Sequence, residues 1–450
     1  MDTSENINIG SIQLRNYMIR AGILPKFSES RIRDCEYNFV EYDNEDNDLL
    51  YENVEEGEGE ELSKGKATAA QGHAVELLFG AHVQKSLKRT ITGDNTIQPE
   101  HMKKYRNIEG KTPEQVLKEK HDQLGKARTQ KLSDACSVAA DKVSKEFLER
   151  FKAKSPADYK KLMSKEHNAE VVWTSKKGDH EAYTGQNDKA HIGEADTMIG
   201  VKDKNGKLVH AEGHSIKYAK EAGDVKMGSP SASTAERVMG MPPGKLFKHH
   251  EDFDDNVEKS LERFEKEHDK DNGKGSFKKK YGDYSTAKRK KEIFRQLDEE
   301  GKKGDSKSAE RAQELIEHQK KRDYEASRDI ALHLSSMTNE QRNRSFINSV
   351  CPEHTYKVFH TIIHPDGSSV SADFNVEMAK YLKDKNGKDR KTRIEHNGKN
   401  RVSLIDDDEK SETYNKPLMF LEHGDRRGVD DAKVSIKAGI PAHMIKRLAK

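Results

Sequence analysis

The chain predicts a mixed α/β fold of the α+β kind, a mixed sheet flanked by helices, on three observations. Ala70, Ala74, Leu77, Leu78 and Ala81 fall at three- and four-residue spacings, the mark of a helix with one apolar face. The period then changes: Val171, Val172 and Trp173 open a set of short β-prone runs that continues through residues 192–201 and 208–218. Between the last two lies Asp203-Lys204-Asn205-Gly206, a turn sequence suited to a β-hairpin.

Four stretches follow from these changes of pattern. Residues 1–64 hold apolar patches at 12–23 and 37–40 and a strongly acidic run from 41 to 61, which reads as a self-repelling linker or as an acidic arm competing with DNA for a basic cleft. Residues 65–245 carry the first helix, a second helical stretch from Thr112 (cap-like, with Glu114 close behind) to Phe151, and the β-prone runs. Residues 246–345 are highly charged, with apolar residues thinly spaced at helical intervals (Val257, Leu261, Phe264, Ile293, Leu297, Ile316, Ile330, Leu332), and read as a charged helical arm with a thin buried stripe. Residues 346–450 return to strands, with hairpin turns at Pro365-Asp366-Gly367 and Asn397-Gly398, and read as a separate C-terminal α+β unit.

Composition narrows the function classes. With 36% charged and only 32% hydrophobic residues, the cores must be small or separate. Lys and Arg total 81 against 79 Asp and Glu, so partners must be read from where charge clusters and not from its sum. Cys35, Cys136 and Cys351 are far apart, which argues against a disulfide scaffold or a structural zinc site. The start of the chain is polar and no run approaches the roughly 18 apolar residues of a membrane span, so a cytoplasmic protein without a membrane partner is expected. No phosphate-cradling Gly-x-x-x-x-Gly-Lys-Ser/Thr is present, which argues against an ATP-driven motor.

The chemistry concentrates between residues 171 and 240. Its centre is Gly193-Glu194-Ala195-Asp196, the hairpin turn, then Glu212-Gly213-His214-Ser215-Ile216-Lys217. Side chains alternate along a strand, so Ser215 and Lys217 share a face, and with correct register the hairpin brings Lys217 beside Asp196. A carboxylate can hold Mg²⁺ against a phosphate oxygen while metal and lysine orient an attacking water. The bland alternative is a surface hairpin whose Asp196 and Lys217 form an ordinary ion pair.

The order of an early helix with a glutamate, a strand near an Asp, and a hairpin strand closing in Ser-x-Lys resembles the PD-(D/E)xK superfamily of restriction-type and phage-type nucleases. Ser215-Ile216-Lys217 is similar to the branch with serine at the usual second acidic position. Val172-Trp173-Thr174-Ser175, Gly178-Asp179, Tyr183-Thr184-Gly185 and Gly228-Ser229-Pro230-Ser231 are similar to phage-encoded members, so the resemblance covers residues 65–245.

The resemblance implies a restriction-endonuclease-like core and Mg²⁺-dependent (or Mn²⁺-dependent) hydrolysis of DNA, by a phage-encoded enzyme acting on competing or host DNA in the host cytoplasm. It makes Asp196 the principal metal ligand, Lys217 the catalytic lysine and Glu76, on the helix over 71–87, the accessory acid. A homodimer follows by the same analogy, since cutting two strands needs two centres. Ala195 stands where the family has Pro, and Ser215 where Asp or Glu is commonest, so another acid is needed. Glu212 serves only if a bulge at Gly213 turns it to the face of Ser215. Glu194, Glu221, Asp224 and Glu236 are the other candidates.

Three further features call for a reading. Lys278, Lys279, Lys280, Lys288, Arg289, Lys290 and Lys291 are interleaved with Phe277, Tyr281 and Tyr284, which reads as a DNA-binding surface or as a solvated helix face offset by nearby acids. Ser435-Ile436-Lys437 repeats the Ser-Ile-Lys triplet, but Asp430 and Asp431 are too close before it for a strand and turn, and Asp425 needs a very tight hairpin. His354, His360 and His364 cluster without a helix-borne His-x-x-x-His and read as surface or hairpin residues. The rival class is a non-catalytic nucleic-acid-binding or virion-associated protein, in which the hairpin at Asp196 is scaffold.

Overall fold

The computed structural model describes residues 64–94, 103–104, 112–174, 179–185, 195–219, 224–228, 230–354, 356–424 and 436–448. The apolar patches and acidic run of residues 1–63 lie outside this set.

The first helix, α1 (Lys64–Thr92), buries Ala70, Ala74, Leu77, Leu78 and Ala81, the residues whose spacing predicts it. The second helical stretch divides. Helix α2 (Pro113–Leu124) starts at a reciprocal cap between Thr112 and Gln115, one residue beyond Glu114, and ends at Gly125, whose φ of 80° turns the chain into α3 (Lys126–Lys154). Helix α3 buries Val143, Phe147 and Phe151 along one face, and α4 (Pro156–Met163) follows.

These helices cover one face of the first sheet. Its strand order is β1 (Lys103–Lys104), β2 (Asn168–Trp173), β3 (Thr197–Lys202), β4 (Leu208–Tyr218), β6 (Val358–Ile363) and β7 (Ser369–Ala372). β1–β2 and β4–β6 are parallel and the remaining pairs antiparallel. Strand β4 matches its predicted run, and the turn at Asp203–Gly206 forms as read: the Asp203 carboxylate accepts the amides of Asn205 and Lys207 at 2.9 Å. Ala169, Val171, Trp173, Ile199, Val201, Ile216 and Ile363 pack with α1 and α3 in one core, with Trp173 1% exposed. A short helix, α5 (Asp179–Thr184), lies between β2 and β3 in sequence.

The second sheet is antiparallel and ordered β5 (Val225–Gly228), β11 (Ile436–Ile440), β10 (Pro417–His423), β9 (Arg401–Asp406), β8 (Thr392–His396). Between β5 and β6 run α6 (Ala232–Met239), α7 (Lys245–Asn272), α8 (Ser276–Tyr281), α9 (Ala287–Lys302), α10 (Ser306–Ser335) and α11 (Asn339–Val350). After β7 come α12 (Phe374–Tyr381) and, at the end, α13 (Ala442–Leu448).

The pairing corrects the division drawn at residues 245 and 346. β6 and β7 complete the first sheet, whereas β5, from the expected nuclease core, is the edge of the second. The physical reason is the parallel β4–β6 ladder, which needs a long crossover and finds it in the helices from α6 to α11. Those helices are less bare than their composition suggests. Phe253, Val257, Leu261, Phe264, Phe277, Tyr281, Ile293, Leu297 and Leu315 form a core of their own. Among the described residues no helix is long and apolar enough to cross a membrane.

Candidate active site on the first sheet

Strand alternation decides which predicted residues meet. His214 pairs with Thr197 in the antiparallel ladder and its ring lies 6.1 Å from Phe79 of α1, so His214 faces the helices. Ser215 and Lys217 therefore face the other way. Asp196 immediately precedes β3, and its backbone amide donates to the carbonyl of His214 at 2.9 Å. Its carboxylate Oδ2 accepts the backbone amide of Ile216 at 2.5 Å. Asp196 thus replaces a ladder carbonyl and is pinned at the residue between Ser215 and Lys217. Asp196 and Lys217 are both half-buried, whereas Ser215 is 1% exposed.

The two predicted accessory acids are placed elsewhere, which corrects their assignment. β4 runs in unbroken register with β3 from His210 to His214 and with β6 from Gly213 onward, so no bulge at Gly213 turns Glu212 round. Glu212 lies on the helix-covered face, where Arg150 of α3 donates through Nη2 at 2.8 Å and Nε at 3.1 Å, and His210 Nε2 lies 3.2 Å away. Burial raises its pKa, but the hydrogen bonds from His210 and Arg150 and the guanidinium charge outweigh that and hold it at about 2. Glu76 meets the same face, accepting from the indole Nε1 of Trp173 at 3.4 Å. Neither acid shares the face of Ser215 and Lys217.

The remaining candidates are engaged or undescribed. Asp224 pairs with Arg401 at 2.9 Å beside the second sheet, and Glu236 accepts the amides of Gly244 and Leu246, serving as a cap for α7. Glu194 and Glu221 lie outside the described residues. In the repeated triplet, Lys437 is 1% exposed and stands opposite Glu422 in the β10–β11 ladder; Ser435 and the aspartates before it lie outside the described residues.

The basic cluster is largely neutralised within its own helices. Lys278 reaches Glu265 at 3.1 Å, Lys280 reaches Glu300 at 2.9 Å, and Arg289 lies 3.9 Å from Glu292. Lys290 is buried and pairs with Asp254 at 2.9 Å and Glu258 at 3.1 Å. Lys279 and Lys291 are exposed, and the Lys288 side chain lies outside the described set. The interleaved rings are not a stacking platform: Phe277 and Tyr281 are core residues 4.8 Å apart, and Tyr284 donates to Glu265 at 2.7 Å. Their four-residue spacing was the available signal for a buried helix face.

His360 is the residue that sequence reasoning set aside. It lies opposite Ser215 in the parallel β4–β6 ladder and is 3% exposed. Burial first, then the nearby Lys217 ammonium and His354, lower its pKa to about 3. His364 does not join it, bonding instead to the carbonyl of Ala219 at 2.7 Å. Composition hides this burial, because a β-prone stretch with histidines looks the same in a central strand as in an exposed hairpin. No family model, curated protein or solved structure matches the chain.

Proposed function

We propose that the chain is a divalent-metal-dependent DNA endonuclease whose reacting set is Asp196, Ser215 and Lys217. One observation carries the reading: the Asp196 carboxylate sits on the Ile216 amide, so an acidic oxygen, a hydroxyl and an ammonium come from neighbouring positions of one hairpin. The mixed sheet flanked by helices, with a glutamate-bearing first helix and a hairpin strand ending in Ser-x-Lys, supports a restriction-endonuclease-like core.

The donor chemistry suits a hard cation held lightly. Among the described residues no cluster of three or more His, Cys, Asp or Glu is placed to hold a metal ion. The site offers one carboxylate, Asp196, with Ser215 as a neighbouring oxygen, and Mg²⁺ commonly takes one or two carboxylates and completes its shell with waters and substrate phosphates. Bound there, Mg²⁺ or Mn²⁺ supplies Lewis-acid polarisation of the phosphate and a more acidic water. Lys217, half-buried, contributes a positive charge for the phosphate on the sheet face opposite α1 and α3. A phage origin, the host cytoplasm and a homodimer belong to the same proposal.

The rival reading, a nucleic-acid-binding protein without catalysis, draws on the same bond, since a purely structural carboxylate would also accept an amide. Incubation with supercoiled plasmid in Mg²⁺ and in EDTA separates them. The nuclease reading expects cleavage in Mg²⁺ alone, abolished in Asp196→Asn and Lys217→Ala. Binding in both solutions with cleavage in neither supports the rival.

A further inference from the structure

Among the described residues, both ring nitrogens of His360 lack a hydrogen-bond partner, although the side chain is 3% exposed. A buried polar group left unpaired costs free energy, and most such groups in folded proteins find a partner. The neighbours of this ring are specific. Ser215 lies opposite it in the β4–β6 ladder, Lys217 is two residues further along the same face of β4, and Phe374 closes one side with its ring 6.0 Å away.

A hydroxyl, an ammonium and an imidazole on one sheet face are all able to donate, and paired donors of this kind suit an anion. Asp196 shares this face and takes the cation in the proposed metal site, and the Lys217 ammonium favours an anion beside His360.

We propose that His360 completes, with Ser215 and Lys217, a binding site for a phosphate group of the nucleic-acid backbone, donating a ring N–H to a phosphate oxygen. The proposal rests on the nuclease reading for the identity of the ligand, but not on catalysis. His360 then fixes where the phosphate sits relative to Asp196, a role that no motif in the sequence assigns.

The experiment measures binding in EDTA, where no metal-dependent cleavage occurs. Inorganic phosphate is titrated into isotope-labelled full-length protein while the His360 ring resonances are followed, assigned by their loss in His360→Phe. In parallel, a fluorescein-labelled DNA duplex is titrated with the wild type, His360→Phe and His360→Gln. Phenylalanine keeps a buried ring and removes both unpaired nitrogens, so His360→Phe should melt no lower than the wild type while binding the duplex about tenfold more weakly, the loss of roughly one charge-assisted hydrogen bond. Glutamine, which retains an N–H donor, should recover part of that affinity, and phosphate should shift the wild-type ring resonances.

Ring resonances that do not move with phosphate, together with unchanged duplex affinity in His360→Phe, overturn the proposal. A wild type that binds phosphate through His360 yet never cuts DNA in Mg²⁺ leaves this site standing and removes only the nuclease reading.

Discussion

The carboxylate of Asp196 holds the backbone amide of Ile216 at 2.5 Å, so an acid proposed for metal chemistry also completes a β-ladder. Structural and chemical roles can be separated by choice of substitution. Asp196→Ala leaves the Ile216 amide without its acceptor and should cost about 1–3 kcal/mol. Asp196→Asn keeps an oxygen acceptor and removes the charge. The expectation is a near-wild-type urea midpoint for Asp196→Asn with cleavage lost; an Asp196→Asn protein that still cuts plasmid would dismiss Asp196 as a metal ligand.

The Arg150–Glu212 pair offers a second test. Glu212 is 2% exposed and relies on Arg150 and His210. Removing one partner of a buried pair typically costs about 3–5 kcal/mol, because the other charge stays behind. Arg150→Met should therefore lower stability by several kcal/mol, read by chemical denaturation. Glu212→Gln, which keeps hydrogen-bonding atoms, should cost less and leave the proposed chemistry intact.

Acid should weaken the fold in two stages. Burial first, then Arg322, lower His250 from 6.5 to about 3, so the unfolded chain takes up a proton that the folded one refuses. Its contribution is fully present above pH 6.5 and declines as pH falls toward 3. Glu212 is held near 2 against an ordinary value of 4.5, so its contribution is present above 4.5 and lost as pH falls toward 2. Melting temperature followed from pH 7.5 to 3.5 should start to drop near 6.5, and His250→Phe should flatten the upper part of that curve. An unchanged slope in that variant would rule out His250 as a source and leave other histidines whose pKa burial lowers, His73, His214 and His360.

Lys290 and Lys279 separate packing from solvation in the charged helices. Lys290 is 8% exposed and bridges Asp254 and Glu258, whereas Lys279 is exposed. Lys290→Ala should cost about 1–3 kcal/mol, and Lys279→Ala less than about 0.5 kcal/mol. Equal melting temperatures for the two variants would contradict the burial of Lys290.

Gly424 is under a steric demand that needs no functional argument. Its φ is 77°, and a Cβ there would run into the Asp323 carboxylate, which hydrogen-bonds His423 Nδ1 at 3.0 Å. Gly424→Ala should destabilise by at least about 1 kcal/mol, through backbone strain and displacement of Asp323. Equilibrium denaturation checks it, with Gly398→Ala, where a Cβ meets open space, showing the effect of positive φ alone.

Local pattern made much of this architecture readable. Alternation and the Asp203–Gly206 turn locate β4, and helical spacing locates α1, because a segment with one wet face reports its own period. The same alternation places Glu212 opposite Ser215, and only the unobserved bulge would have rescued it. Partners distant in sequence were not readable. β6 bonds to β4 across 139 residues, and nothing in either strand names the other. His360 consequently looked like a surface residue. Glu76 could be placed on a helix but not against Trp173, since that contact depends on how α1 lies on the sheet.

The exchange of strands between the sheets has a consequence for synthesis on the ribosome. The first sheet waits for β7 at Ala372, and the second, whose edge strand β5 is made early, waits for β11 at Ile440. Until Ala372 has emerged for the first sheet and Ile440 for the second, each carries strands without their final neighbours that could pair with other nascent chains. A product released early, at residue 345 for instance, would lack β6 and β7 from the first sheet and every strand but β5 from the second, so chaperone dependence and aggregation should rise steeply for that truncated form.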